Sequence, residues 1–309
     1  MSDLVTARVA RPLSTTIVLA AAASLALPLV ARAQATITTD LGLNSAFVWR
    51  GVTSTNRFVL EPDVLIAIPL PRATRTTLTL GGWTNIEPAK YDGPHDLSPL
   101  AGNPGPAATS SQVWAEARRA MGDGGVTVGF TRYLYPNVGD LRELYNTNEV
   151  YAIASAPRLF GLGVAPTVSA YYDVQKVQGA YVEGSLSRDV GVSVGHHRRQ
   201  AVTFSTTVGY SAGQGTDVTG AQSAYFATDG VTHVDVGART ALVLGALTVA
   251  PTAHVVFGRD ELARLTAPDR LRSAKVWIGT TLSWGHALGH AASESSSAES
   301  ASTESASTP

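Results

Sequence analysis

The sequence predicts an all-β protein, a transmembrane antiparallel up-and-down β-barrel of about 12 strands. Three observations support this fold class. Segments of roughly nine to thirteen residues alternate apolar and polar side chains between clusters of turn-forming residues. An export signal precedes the first segment, and short and long connections alternate between segments. Because side chains of a strand point alternately to opposite faces, each segment offers one face to lipid and one to water.

The chain begins with a segment typical of export. Residues 1–33 have a basic start with Arg8 and Arg11, an apolar run, and Ala-Arg-Ala at 31–33 as a small-x-small cleavage site. The apolar run is too short for a comfortable membrane-spanning helix, and no other long apolar run follows. We therefore expect a cleaved Sec signal peptide at 1–33 and a Gram-negative outer-membrane β-barrel at 34–286.

The first predicted strand covers 37–49 and has two distinct faces. Its odd positions carry apolar side chains such as Leu41, and its even positions include Asp40 and Asn44. The same alternation predicts further strands at 58–70, 76–84, 112–121, 126–135, 145–155, 164–174, 179–187, 201–210, 232–242, 246–258 and 274–284. The total is even, as a closed bacterial barrel requires.

The lengths of the predicted connections are an independent test of the barrel. Outer-membrane barrels have short periplasmic turns and longer outside loops, which alternate along the chain. The longest connections all follow odd-numbered strands, at 85–111, 211–231 and 259–273. Short connections follow even-numbered strands, at 71–74, 122–125 and 243–245. The first strand is therefore predicted to run outward from the periplasm, although the connection at 189–200 is long for a periplasmic turn.

Composition narrows the class of protein further. The chain has no cysteine, so it forms no disulfides and carries no lipid on an N-terminal cysteine. A net charge of −1 gives no indication of a nucleic-acid partner, and 29 glycines suit a sheet with many turns. Residues 287–309 are dominated by Ser, Ala, Glu and Thr and cannot build a core. They are predicted to form a disordered periplasmic tail.

A secreted β-sandwich is the main alternative fold, because its strands alternate in the same way. Long strands with charged residues in the middle of one face favour the barrel. One position requires an explanation, since Arg132 shares the apolar face with Val128 and Phe130. In a barrel, Arg132 would lie near the outer interface beside lipopolysaccharide phosphates, or it would follow a β-bulge.

Several short stretches resemble a known group of proteins. Residues 41–53, LGLNSAFVWRGVT, are similar to the start of the TorF-type porins, which are uncharacterised bacterial outer-membrane β-barrel proteins. The resemblance continues at 61–63 (EPD), 148–151 (NEVY) and 179–185 (GAYVEGS). It implies an outer-membrane barrel of undefined substrate and brings no catalytic residues with it.

The polar face of the predicted strands supplies the candidate pore-lining residues. Parity along each strand assigns to it Asp40, Asn44, Glu61, Asp63, Trp114, Glu116, Arg118, Glu149, Asp173, Glu183, His233, Asp235, Arg239, His254 and Lys275. Arg50 either continues this face to the pore mouth, or Gly51 beside it simply permits a tight exit from the strand. A barrel of this size has a narrow bore, so these side chains either pair and fill it or leave a small polar path. The excess of acidic residues favours cations.

No catalytic, metal or cofactor site is predicted. Residues 209–213, GYSAG, match G-x-S-x-G, but no helical pattern follows the serine as a nucleophile elbow requires. His233 and His254 share a face with other polar residues and are interpreted as interior side chains. No cysteine or carboxylate ladder accompanies the histidines.

The sequence therefore predicts a narrow passive porin for small polar solutes rather than an enzyme. Expected partners are outer-membrane lipid and lipopolysaccharide, the barrel-assembly machinery and the solutes themselves. Two alternatives stay open. One is a closed structural or adhesive barrel acting through its extracellular loops, and the other is an outer-membrane lipid hydrolase.

Overall fold

The computed structural model describes residues 35–70, 75–89, 106–136, 146–156, 163–194, 198–215, 225–259 and 274–288. These residues form a closed antiparallel barrel of 12 strands, as predicted. The barrel strands are β1 (Ala35–Asn44), β4 (Val59–Pro69), β5 (Thr76–Glu87), β6 (Ala107–Met121), β7 (Gly124–Leu134), β8 (Thr147–Ser155), β9 (Ala165–Asp173), β10 (Ala180–Val194), β11 (Arg198–Ala212), β12 (Gly230–Thr240), β14 (Leu247–Gly258) and β15 (Ala274–Leu288). Three short strands complete the set: β2 (Phe47–Trp49), β3 (Val52–Thr55) and β13 (Leu242–Leu244).

Two pairings close the ring. β1 pairs with β15 from Ala35↔Leu288 to Asn44↔Gly279, and β12 pairs with β14. Every other barrel strand pairs with its neighbours in chain order. Closure leaves no free edge, so the backbone hydrogen bonds of the barrel strands are satisfied within the sheet. A single closed sheet also excludes the β-sandwich.

The two ends of the barrel differ in their connections. Here the loop end is the end that carries the connections after β1, β5, β7, β9, β11 and β14, and the turn end is the opposite end with the two described termini. At the turn end, β10 and β11 extend beyond their predicted limits and pair up to Val194↔Arg198. The connection predicted at 189–200 is therefore mostly strand, because the alternation of Val190 and Val192 continues through it.

The first predicted strand is wrong beyond Asn44. β1 ends there, and after Ser45 donates its N–H to the carbonyl of Ile278 the chain leaves the sheet. Residues 47–49 instead form β2, which pairs only with β3 among the described strands. The alternation of side chains continues through 37–49, but alternation carries no information about which strand is the pairing partner.

The outward face of the barrel is apolar and exposed. Val128, Val168 and Ile278 are 53%, 54% and 60% exposed, which is the pattern of a lipid-facing surface. No described residue belongs to a helix long and apolar enough to cross a membrane. The predicted signal at 1–33 lies outside the described residues, and β15 continues to Leu288, past the predicted end of the barrel at 286.

Arg132 on this face lies near the loop end. The pairings of β7 with β6 and β8 run without a register shift, so no bulge reorients its side chain. Its Nη1 donates to Asn148 Oδ1 at 3.0 Å. Of the two explanations considered for Arg132, the position near the end of the barrel is the correct one.

The outward face makes a testable prediction through two matched substitutions. Val128→Arg in the middle of β7 should lower the free energy of unfolding from lipid by about 2–4 kcal/mol, because the charge would lie at the bilayer midplane. Val243→Arg is the control, since Val243 is 73% exposed beside the β13 turn, where the cost falls to about 0–1 kcal/mol. Urea unfolding from vesicles, followed by tryptophan fluorescence, measures both. Equal costs would contradict a lipid-facing band.

Candidate functional site

The connection between β1 and β4 folds back into the barrel as a two-stranded hairpin, β2–β3. Its turn consists of Arg50 and Gly51, whose φ angles are 49° and 82°. Two positive φ angles in a two-residue turn are typical of a type I′ hairpin, in which glycine is favoured. Gly51 therefore serves a structural purpose, as one of the two interpretations of the sequence held, but at the tip of a hairpin rather than at the exit of a strand.

Arg50 forms a bidentate ion pair with Glu149 on β8. Arg50 Nη1 donates to Glu149 Oε1 at 2.8 Å, and Nη2 donates to Oε2 at 2.6 Å. The two side chains are 6% and 0% exposed, and Tyr133 Oη also donates to Oε2, at 2.8 Å. Burial alone would lower the pKa of Arg50, but the Tyr133 phenol and the Glu149 carboxylate hold it above its ordinary value. The pair fixes the tip of the hairpin to the wall.

Aromatic rings surround the Arg50 guanidinium. Its Cζ lies 4.4 Å from the ring centroid of Trp49, 4.7 Å from that of Tyr171 and 4.4 Å from that of Tyr181. Cations are attracted to the faces of such rings, most strongly where water is excluded. Arg50 is thus not a charge at the pore mouth, as one interpretation of the sequence held, but a buried anchor inside the barrel.

The connection between β11 and β12 covers the hairpin from the loop end. Trp49 stacks on Phe226 at 6.5 Å between centroids and meets Tyr225 edge-on at 5.4 Å. Val52 is packed with Phe226 and Tyr181 in the cluster of buried apolar residues. The hairpin is therefore enclosed between this connection and the barrel wall.

Asp229 holds this covering connection in place. It accepts hydrogen bonds from the Ser211 hydroxyl at 2.7 Å and from the backbone N–H groups of residues 213–215. Burial alone would raise the pKa of Asp229, but these donors lower it below its ordinary value. Ser211 is the serine of the GYSAG match. Its hydroxyl donates to Asp229, and the described residues after it, 213–215, form no helix, as the sequence led us to expect.

The rest of the hairpin contacts the wall on several sides. Gly51 lies against His233, because a Cβ built on Gly51 would stand 2.4 Å from the His233 ring atoms. Three further pairs connect the hairpin to β5 and β15: Phe47 with Trp83, Thr55 with Glu87, and Asn56 with Lys275. The hairpin thus crosses the interior instead of lying along one strand.

An unfilled space remains on the turn-end side of the hairpin, and we call it the vestibule. Its volume is about 380 Å³. It is roofed by Val48, Trp49 and Arg50 and lined by Gln112, Trp114, Glu116, Thr131, Tyr133, Tyr151, Ile153, Tyr171 and Glu183. Most of its wall therefore belongs to β6, β7 and β8.

The structure brings some of the predicted interior residues together in pairs. Asn44 Nδ2 donates to Glu61 Oε2 at 2.9 Å. Arg50 pairs with Glu149 as described above, and His254 Nδ1 lies 2.9 Å from Asp235 Oδ1. Asp40 and Asp63 face each other across β1 and β4, and each has one buried oxygen without a hydrogen-bond partner.

Other predicted residues have different surroundings. Asp173 accepts hydrogen bonds from Thr147 Oγ1 and Tyr225 Oη and from the N–H groups of residues 175–177. These bonds hold the turn that follows β9 at the loop end. Arg118 and Arg239 lie towards the turn end, and no described carboxylate is within 4.0 Å of either. The predicted interior face therefore contains paired charges and unpaired ones.

Sequence reasoning missed most of the aromatic residues of the site. Tyr151, Tyr171 and Tyr181 share strand parity with predicted interior residues such as Glu149 and Glu183, and Tyr133 lies on the face of its strand opposite the apolar one. Parity could have assigned them to the interior, but a tyrosine suits either face of a barrel. Phe226 lies in a connection, where no alternation of side chains could have predicted that it packs on the hairpin.

His254 takes part in a chain of three polar side chains. Its Nδ1 faces Asp235, and its Nε2 lies 2.9 Å from Thr252 Oγ1. The same hydroxyl lies 3.2 Å from the carbonyl of Ala238, to which it can donate instead. The His254 ring stacks on Trp277 at 4.3 Å between centroids. The order acid, histidine and hydroxyl is that of a hydrolase triad, although the Ala238 carbonyl competes for the hydroxyl proton.

Comparison with known proteins identifies no family. No protein-family model and no curated protein matches the chain. Among solved structures, LpxR from Salmonella typhimurium is similar with 8% identity and a TM-score of 0.47, over 81% of this chain and 99% of that one.

Two other solved structures illustrate the same level of similarity. An outer membrane channel from Pseudomonas putida F1 has 13% identity and a TM-score of 0.43, over 82% and 96% of the two chains. Outer membrane phospholipase A from Escherichia coli has 10% identity and a TM-score of 0.38, over 84% and 96%. Similarity at this level carries no argument about what this chain does.

The buried ion pair makes a testable prediction about stability. Arg50→Met leaves Glu149 buried without its cation, so the free energy of unfolding should fall by about 3–5 kcal/mol. Adding Glu149→Gln to Arg50→Met should recover a large part of that loss, because no unpaired charge remains. Arg118→Met is the control and should change stability by about 0.5 kcal/mol or less, since Arg118 is exposed. Urea unfolding measures the wild type and the three variants, and a double variant no more stable than Arg50→Met would contradict the coupling.

Proposed function

We propose that the protein resides in the bacterial outer membrane and conducts small polar solutes past the β2–β3 hairpin, which forms the constriction. The observation that carries the proposal is the vestibule, a space of about 380 Å³ with polar walls inside a barrel whose outer face is apolar. An apolar exterior requires lipid, and an unfilled polar interior requires water. Both requirements are met by a channel across a membrane.

The position of the hairpin supports a narrow passage. A barrel of about twelve strands has little spare bore, and a hairpin inside it removes much of the rest. Arg50 fixes the tip to β8 and Gly51 lies against β12, and the vestibule lies on the side of β6, β7 and β8. Small solutes fit such a path, whereas large oligomers do not.

The charges along this path favour cations. Arg50 is neutralised by Glu149, so the charged side chains of the vestibule that remain are Glu116 and Glu183. Uncompensated carboxylates beside a narrow path attract cations and repel anions.

Channel activity makes a prediction for planar bilayers. The folded protein should conduct, and Gly51→Ala should raise its conductance, because a Cβ at Gly51 would stand 2.4 Å from the His233 ring and force the hairpin to move. Gly245→Ala is the control. Its φ of 64° is also positive, but a Cβ there meets nothing within 4 Å. Absence of current above background would refute the channel and favour the closed or adhesive barrel. Equal conductance of both variants would refute the hairpin as the constriction.

A lipid or ester hydrolase is the second candidate, favoured by the chain Asp235, His254 and Thr252. The channel proposal predicts no hydrolysis of short-chain esters or phospholipids by the folded barrel. If hydrolysis occurs and is lost in Thr252→Val but kept in Thr248→Val, the second candidate replaces the first. Thr248 is the matched position on the same face of the same strand. Colour release from a chromogenic ester measures the rate.

A further inference from the structure

Aromatic and acidic side chains make up most of the lining of the vestibule. Five of its lining residues are aromatic: Trp49, Trp114, Tyr133, Tyr151 and Tyr171. Among its described lining residues, the apolar aliphatic ones are Val48 and Ile153, and the acidic ones are Glu116 and Glu183. Its volume of about 380 Å³ lies in the range of small-molecule sites, which is about 300–1,000 Å³.

The two carboxylates of the vestibule lack a cation. Glu116 Oε2 accepts a hydrogen bond from Tyr151 Oη at 2.8 Å, and Glu183 Oε1 accepts one from Tyr181 Oη at 2.9 Å. No described Lys, Arg or His side chain lies within 4.0 Å of either carboxylate. The nearby guanidinium of Arg50 already satisfies Glu149 through two hydrogen bonds. The vestibule therefore carries net negative charge.

Glycines shape the aromatic wall. A Cβ on Gly81 would stand 2.1 Å from the Trp114 ring, and a Cβ on Gly129 would stand 2.3 Å from the Tyr151 ring. Each ring thus occupies the space beside a backbone position that has no side chain, on an adjacent strand. Both rings line the vestibule. Tyr151 and Tyr171 continue this surface with their centroids 5.7 Å apart.

Arg50 demonstrates what this surface attracts. Its guanidinium lies 4.7 Å from the Tyr171 centroid, so one face of the aromatic wall already holds a cation. Rings and carboxylates together recognise cations with apolar substituents, because the rings attract the charge without requiring hydrogen bonds. Hard metal ions need several oxygen ligands at 2.0–2.6 Å. Glu116 and Glu183 belong to β6 and β10, with three strands between them, so they are poorly arranged to share such an ion.

We propose that the vestibule binds a small organic cation, an ammonium compound with apolar substituents, between Glu116, Glu183 and the rings of Trp114 and Tyr151. This inference deepens the proposed channel function and rests on it for its purpose, because the bound cation would be a solute on its way through the barrel. The vestibule selects the cation by charge and by its apolar surface.

Choline is the probe, and its neutral isostere, with carbon in place of the ammonium nitrogen, is the matched ligand. Calorimetric titration of the folded full-length barrel in detergent should give choline an affinity about tenfold or more above that of the isostere. Glu116→Gln with Glu183→Gln should lower choline affinity about tenfold, and Trp114→Leu should also lower it. Asp123→Asn is the control, because it removes a carboxylate from the exposed turn between β6 and β7 and should leave affinity unchanged.

Three results would overturn the inference: no choline binding, equal binding of choline and isostere, or choline binding that survives the double carboxylate substitution. Equal binding would indicate a site that recognises the apolar surface of the ligand without its charge. The shift of folded barrels in unheated gels verifies that each variant folds. Current in bilayers is recorded separately. Current without choline binding refutes this inference alone, and choline binding without current refutes the channel alone.

Discussion

The ion pair between Arg50 and Glu149 is the interaction on which the interior of this barrel depends. Removing two charges from water is expensive, and such a pair is tolerated only with good geometry and further hydrogen bonds. Here the geometry is bidentate, Tyr133 donates a third hydrogen bond to the carboxylate, and three rings surround the guanidinium. A connection that could have extended into solvent is thereby held inside the barrel.

The buried hairpin divides the interior into two parts with different character. Towards the loop end, Phe226 and Tyr225 pack on Trp49, and Asp173 and Asp229 bind the connections that cover it. Towards the turn end lies the vestibule, with free space and carboxylates that have no partner cation among the described residues. The first part stabilises the constriction, and the second part is where a solute can interact with the protein.

The barrel gains room for its interior rings by placing glycine beside them. Gly81, Gly129 and Gly237 lie beneath Trp114, Tyr151 and His254, each on a neighbouring strand. A narrow barrel cannot hold large side chains at every interior position, so a large side chain on one strand lies beside a glycine on the next. Packing thus explains these three glycines, whereas composition alone suggested only turns.

The sequence by itself determined the barrel, its strand number, the end of the barrel that carries the longer connections and the interior face that carries Glu61, Glu149 and Asp235, because alternation and turn chemistry are local patterns. Only the tertiary structure decided where β1 ends and what Arg50 contacts. The turn at Arg50 and Gly51 is local, but the partner of Arg50 lies 99 residues away. Alternation assigns a side chain to a face, whereas a connection that leaves the sheet no longer has faces, so its contacts depend on the closed barrel around it.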